Sequence, residues 1–340
     1  MPWPAPCSTW RTGYERTQSE AVTAGGLGAP IVVLVGPTAS GKSDVAMAAA
    51  VSVPDTEIVS IDAMQVYRRM DIGTAKPSPA ERAAVVHHGL DLCEPSERFT
   101  VADYQREVTP AVANVPGVAL AVAGTGLYLA ALLDDLALPG EWADVRAGLE
   151  IEADADIGAL HRRLQRLDPM AAARMEPSNR RRIVRALEVC EGAGRPFSSF
   201  GPGLDRYPDH GLAMIGLRWP RPVLAARIEA RVHHMLAAGL VDEVTSLLVE
   251  PSGLSPTARQ ALGYKELIDH IEGGESLATA VERIVVRTRQ FASRQERWYR
   301  RDPRIAWIDI TTDAVTEAAS TVIAAVRAAG ARTRSGGAKT

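Results

Sequence analysis

The chain has 340 residues, 46% of them hydrophobic and 23% charged, and its 38 basic against 41 acidic side chains give a net charge of −3. That length exceeds one ordinary domain, and the composition suits a sizeable buried core, which excludes a disordered or fibrous chain. A uniformly basic coat is excluded as well, although a local basic patch is not.

Of the basic residues 34 are Arg and four are Lys. Genomic base composition accounts for such a bias, and it makes Lys42, Lys76 and Lys265 conspicuous wherever a motif holds them. Cys7, Cys93 and Cys190 lie far apart, without the spacing of a disulfide framework or a zinc site, as expected of a protein of the reducing cytoplasm. The N-terminus lacks the charged and apolar regions of a signal peptide. The uncharged stretch 108–133 is broken by Pro110, Pro116, Gly117, Gly124 and Gly126, which fits a strand, a glycine turn and a helix start better than a membrane span.

Residues 1–28 have no hydrophobic period and read as a disordered leader. IVVLV (31–35) is an unbroken β-branched run, the pattern of a strand buried on both faces. An Ala-rich helix is expected over about 43–52. EIVSID (57–62), VALAVAG (118–124) and LAMIGL (212–217) read as further buried strands, and RIAWIDI (304–310) as an edge strand. Buried strands alternating with helical stretches predict an α/β fold: a phosphate-loop parallel sheet with flanking helices. Between 141 and 210 the strand-like runs give way to amphipathic helices, so this segment is expected to be a helical insertion. The core then comprises 29–140 and 211–325, and 326–340 reads as a disordered tail.

GPTASGKS (36–43) follows the first strand directly and precedes a helix, the context that a phosphate-binding loop requires. Its backbone N–H groups and the helix N-terminus would face an anion, from Gly36, Pro37, Thr38, Ala39, Ser40 and Gly41 onward. Lys42 adds a positive charge, and Ser43 is placed to hold a Mg²⁺ bound to the same phosphates. Such a loop also serves ATP in kinases and ATPases, so by itself it names no reaction. Asp62 ends the second strand at the edge where open α/β sheets bind ligands; there a carboxylate can act as a base or hold metal through water. AGTGLY (123–128) brings Thr125 to the end of the third strand.

Two segments concentrate positive charge. RRRIVR (180–185) holds four arginines. Along 281–301, Arg283, Arg287, Gln290, Arg294, Arg297 and Arg301 recur at helical spacing as one stripe, opposite a core-facing stripe that includes Ile284, Phe291 and Trp298. Eight arginines against Glu296 and Asp302 over 283–304 give a local charge of +6. Charge of one sign at that density points to an RNA partner for Arg287, Arg294 and Arg297. Three other readings stay open on these features: a small-molecule kinase using ATP, an enzyme prenylating free AMP or ADP, and an RNA-binding protein with a silent loop.

GPTASGKS, DAMQVYRRMDIGTAKP (62–77), HHGLD (87–91), AGTGLY, NRRRIVRALEV (179–189), QALGYKE (260–266) and RTRQFASRQERWYRR (287–301) together resemble, in order, the bacterial tRNA dimethylallyltransferases over roughly 30–310. The resemblance implies transfer of the dimethylallyl group of dimethylallyl diphosphate, with Mg²⁺, to N6 of the adenosine 3′ to the anticodon. The partner implied is the tRNA anticodon stem-loop, and the protein is expected to act as a monomer. The phosphate loop would then hold the diphosphate. Asp62 matches the family's general base, Thr125 the threonine beside it, and Arg146 an arginine near the reaction channel. Asp62, Ala63, Met64 and Gln65, with Arg181, Arg182 and Arg185, match positions that contact tRNA. The chain departs from many relatives at Ala123, where a glycine is common, and at Ser293, where a lysine is common.

Overall fold

The first strand, β1 (Ile31–Val35), shows how the core is divided. Ile31, Val33 and Val35 belong to one hydrophobic cluster, Val32 and Leu34 to another, and all are 2% exposed or less. A period of two sends alternate side chains to opposite faces, so an unbroken β-branched run needs cover on both sides. Each such side chain contributes about 1.5–3 kcal/mol by leaving water.

The computed structural model describes residues 27–336, apart from 135, 137, 202, 203 and 205. In chain order after β1 come α1 (Lys42–Ser52), β2 (Thr56–Ile61), α2 (Pro79–Ala84), β3 (His87–His88), α3 (Val101–Ala113), β4 (Val118–Ala123) and α4 (Gly126–Leu133). Next are α5 (Ala143–Leu167), α6 (Pro169–Ala172), α7 (Arg180–Ala193) and β5 (Ala213–Arg218). The chain closes with α8 (Arg221–Ala237), α9 (Leu240–Leu248), α10 (Tyr264–Ile271), α11 (Leu277–Tyr299), β6 (Ile305–Asp309) and α12 (Ala314–Gly336).

The sheet runs β3-β2-β4-β1-β5-β6, with every neighbouring pair parallel. From β1 the chain crosses over β4 to β2, and β5 later joins the other side of β1. The carboxyl ends of β1, β2 and β4 therefore open into a crevice where the strand order reverses, the usual ligand site of such sheets. RIAWIDI forms the edge strand expected of it. The two-residue β3 has no hydrophobic run to announce it.

Helices α5, α6 and α7 stand between α4 and β5 and pack on one another around Leu149, Leu160, Leu164, Ile183, Leu187 and Cys190. This third cluster is separate from the two that flank the sheet. Helix α5 is kinked at Asp156 (φ −157°, ψ 93°), whose carboxylate accepts the Ala159 N–H and so caps the second half.

Both expected chain ends are shorter than the sequence suggested. Residues 1–26 of the leader lie outside the described residues, but Leu27 is 1% exposed within the core. A single apolar residue after Gly25–Gly26 offers no period to read. At the other end α12 continues to Gly336, because Val322, Val326 and Ala329 pack with Ala46 and Ala49 of α1; residues 337–340 lie outside the described residues. Among the described residues no helix is long and apolar enough to cross a membrane.

Candidate functional site

The loop between β1 and α1 turns on backbone conformations that few residues tolerate. Gly41 has φ 86°, and a Cβ there would lie 2.7 Å from Cβ of Ala314. Ala39 adopts φ 62° within the same turn, a left-handed conformation that costs a residue with a Cβ about 1 kcal/mol or more. The loop is braced from outside. Trp219 donates its indole N–H to Ser40 O (3.0 Å), and Arg227 donates Nε–H to Ala39 O (2.9 Å) while stacking over the Trp219 ring. The Ser40 hydroxyl is buried with no partner among the described residues.

Lys42 Nζ donates to the carbonyl oxygens of Gly36 and Pro37, each at 2.8 Å. Burial pushes its pKa down to about 7, the Arg231 charge adds to the shift, and Asp62 opposes it. A bound anion beside Nζ would restore the full ammonium charge. Arg231, from α8, is pulled down by burial against the opposing pull of Asp62 and Asp44. It lines both cavities that meet at this loop, of about 550 and 450 Å³. The first opens beside Ser43, Asp44 and Arg227; the second holds Asp62, Thr125, Arg294 and Gln295. Lys42, Ser43, Ser60 and Gln65 line both.

Asp62 leaves the end of β2 in an Asx-type turn. Its Oδ1 accepts the N–H groups of Met64 (2.8 Å) and Gln65 (3.3 Å). A Cβ on Gly124 would stand 2.8 Å from Asp62 Oδ2, so only glycine lets the carboxylate approach the end of β4. Thr125 Oγ1 accepts the Ala63 N–H at 3.2 Å, which fixes the turn from the opposite strand. Gln295 then ties three pieces together: its Oε1 accepts Thr38 N–H (2.8 Å) and its Nε2 donates to Gly124 O (2.7 Å). Tyr299, fully buried, donates to Ala123 O, so the alanine at 123 leaves this contact intact.

The structure gathers Thr38, Lys42 and Ser43 of the phosphate loop, Asp62, Ala63, Met64, Gln65, Thr125 and Arg294 around one cavity, and leaves Arg146, Arg181, Arg182, Arg185, Arg287 and Arg297 out of its lining. Gln65 is engaged internally: Ser60 Oγ donates to its Oε1 (2.5 Å), and its Nε2 donates to the carbonyls of Thr74 and Ala75. Arg146 and Arg185 converge on the buried carboxylate of Glu188, at 3.3 and 2.9 Å, within the helical insertion. Arg146 is thus not among the residues lining the two cavities. Arg181 and Arg182 are exposed on α7.

The stripe on α11 is divided between arginines paired with carboxylates and arginines left exposed. Arg283 pairs with Asp269 and Glu275, and Arg287 pairs with the buried Glu266. Arg294 lines the cavity beside Phe291, and both it and Arg297 are exposed. Helical spacing orders the side chains around an axis but does not reveal which neighbours carry carboxylates. Lys76, singled out by its rarity, is a brace: Nζ donates to Tyr67 O, Asp71 and Asp91.

Three residues of the site carry no sequence signal of their own. Arg231 and Arg227 stand one helical turn apart among alanines on α8, in ARIEARVHH, attached to no motif. Gln295 lay inside a quoted segment and was overshadowed by its arginines.

The family model for IPP transferase matches residues 65–302 of this chain. A tRNA dimethylallyltransferase of Nocardioides sp. is 45% identical over 300 residues, covering 87% of this chain and 96% of that one. One from Thermobifida fusca is 47% identical over 289 residues, covering 82% and 89%. Among solved structures, the full-length tRNA isopentenylpyrophosphate transferase from Bacillus halodurans is similar with a TM-score of 0.63 and 35% identity, over 89% of this chain and 99% of that one.

Proposed function

The chain belongs to the IPP transferase family, and from that premise we propose that it transfers the dimethylallyl group of dimethylallyl diphosphate to N6 of the adenosine 3′ to the anticodon in tRNA. The observation that carries this reading is the pair of adjoining cavities, which share Lys42 and Ser43 on the anion side and lead to Asp62 and Thr125. A donor held by its diphosphate at the loop would present its allylic carbon toward Asp62.

The loop amides, Lys42 and Arg231 stabilise the charge that develops on the leaving diphosphate. The N6 lone pair attacks the allylic C1 as the C1–O bond breaks, and the amine proton passes to Asp62. Oδ1 is already engaged by two N–H groups, so Oδ2, on the Gly124 side, is the acceptor oxygen. Such a proton transfer is worth roughly 10²–10⁴-fold in rate.

Ser43 lines both cavities, next to Lys42, and one hydroxyl fits a Mg²⁺ held otherwise by diphosphate oxygens and water. Bound there, the metal would neutralise charge on the leaving group. An adenine within an anticodon loop reaches the cavity only when unstacked, at a cost of a few kcal/mol offset by RNA contacts elsewhere. We assign those contacts to Arg181 and Arg182 on the insertion (141–210) and to Arg297 on the core (29–140 with 211–325). We further place the protein in the cytoplasm as a monomer.

The test is incubation with labelled dimethylallyl diphosphate, Mg²⁺ and either tRNA, AMP or no acceptor. Label enters tRNA alone on this reading. Label in AMP alone, or none in tRNA, contradicts it.

A further inference from the structure

Glu243 lies on α9, outside the phosphate loop and without a part in the chemistry above. Its carboxylate receives four donors. Oε2 accepts the backbone N–H groups of Asp71 (2.8 Å) and Ile72 (2.7 Å), and Oε1 accepts the Gly73 N–H (3.1 Å) and the Tyr264 hydroxyl (2.6 Å). Two ionised oxygens offer about four lone-pair sites, so this group is saturated. Consecutive N–H groups turned toward one anion make a nest of the type that binds phosphate. Here a side chain of a distant helix fills the nest.

The packing admits little slack. A Cβ on Gly73 would lie 2.4 Å from the Tyr264 ring and 2.9 Å from Leu240. Burial and the neighbouring Glu243 carboxylate raise the Tyr264 pKa far above its ordinary value, so the phenol stays a donor. The pinned segment runs on to Thr74 and Ala75, whose carbonyls accept both N–H bonds of Gln65 Nε2, at 3.0 and 3.1 Å. The Gln65 backbone N–H in turn donates to Asp62 Oδ1. Hydrogen bonds joined by the backbone of 71–75 thus link Glu243 through Gln65 to Asp62.

We propose that Glu243 is a positioning residue for the transfer reaction: by closing the backbone nest at 71–73 it sets Gln65 and, through it, the aim of the Asp62 carboxylate. The inference rests on Asp62 being the base. In Glu243→Gln one oxygen becomes an NH₂ that meets at least one backbone N–H head on, so the nest opens. Misplacing a catalytic group by about 1 Å costs on the order of 100-fold in rate.

The test is single-turnover transfer into tRNA at saturating dimethylallyl diphosphate for Glu243→Gln, Gln65→Met and the double variant. Diphosphate affinity and melting temperature are measured on the same preparations. The Glu243→Gln rate should fall by about 30- to 100-fold, with diphosphate affinity held to about twofold, because the phosphate loop is not part of the relay. The double variant should be no slower than Gln65→Met alone to within about threefold, since residues acting in series are not additive. Tyr264→Phe, which removes one donor of four, should slow transfer by about threefold and serves should Glu243→Gln not fold. Wild-type rates in these variants, or a double variant slowed by the product of the two single losses, overturn the proposal. An Asp62→Asn arm separates the two readings: inactive Asp62→Asn beside wild-type Glu243→Gln sinks this inference alone, and active Asp62→Asn sinks the assignment of the base.

Discussion

On α11, Arg283, Arg287 and Arg289 each meet a carboxylate of another segment: Glu275 and Asp269, Glu266, and Glu229. On α7, Arg180 and Arg185 are likewise paired, but Arg181 and Arg182 are exposed and make no ion pair among the described residues. The two helices look alike in the sequence, and within each the fold divides the arginines into paired and exposed ones. Arginines neutralised by the protein fasten helices together and release no counterions on meeting a polyanion; exposed ones do. Arg294 is exposed as well, but it also lines the cavity that holds Asp62 and Thr125.

The sharpest way to break this division is Arg294→Glu. A carboxylate placed in the cavity with Lys42 and Asp62 should lower kcat/KM by about 10³-fold and weaken diphosphate binding, checked by steady-state transfer and equilibrium binding. An effect on tRNA affinity alone would return Arg294 to the RNA face. Next in size is Glu266→Ala, which strips Arg287 of its partner and the Gly263 N–H of its acceptor. Removing one member of a largely buried pair should cost about 3 kcal/mol, read by urea unfolding. Should Arg287 serve RNA instead, stability would hold and tRNA affinity would change.

A smaller effect is expected from Arg181→Glu combined with Arg182→Glu. Affinity for tRNA should fall by about 30-fold and the slope of log K against log salt should flatten by about 1.5, with diphosphate binding unchanged. An unaltered salt slope would remove α7 from the interface. The smallest concerns Asp91, whose carboxylate is pushed up by burial but held lower overall by hydrogen bonds and charge from Lys76 and Arg82. A depressed carboxylate stabilises the fold above its unfolded pKa, near 3.9, and that contribution is lost as pH falls through the folded value. The half-exposed setting limits it to about 1 kcal/mol or less, visible as a shallower acid-unfolding curve in Asp91→Asn.

The sheet and the phosphate loop were legible in the sequence because their signals are local: β-branched runs and a glycine loop need no knowledge of distant neighbours. Asp62 and Thr125 were legible from their places at strand ends. Gln295, Arg231 and Glu243 were not, since each acts on backbone atoms far away in the chain, and polar side chains on helices carry no period that names a partner. The extent of α12 was hidden for a related reason: its Val322, Val326 and Ala329 pattern resembles any small-residue helix until α1 is laid against it.

In the proposed reaction Asp62 takes the proton from an amine aligned with a donor at the phosphate loop. This step is tested most directly by single-turnover transfer of labelled dimethylallyl into tRNA by Asp62→Asn, with both substrates saturating. The expected rate is at least about 100-fold below wild type, with both binding affinities within about threefold. A wild-type rate, or a loss explained entirely by failure to bind the diphosphate, would contradict it.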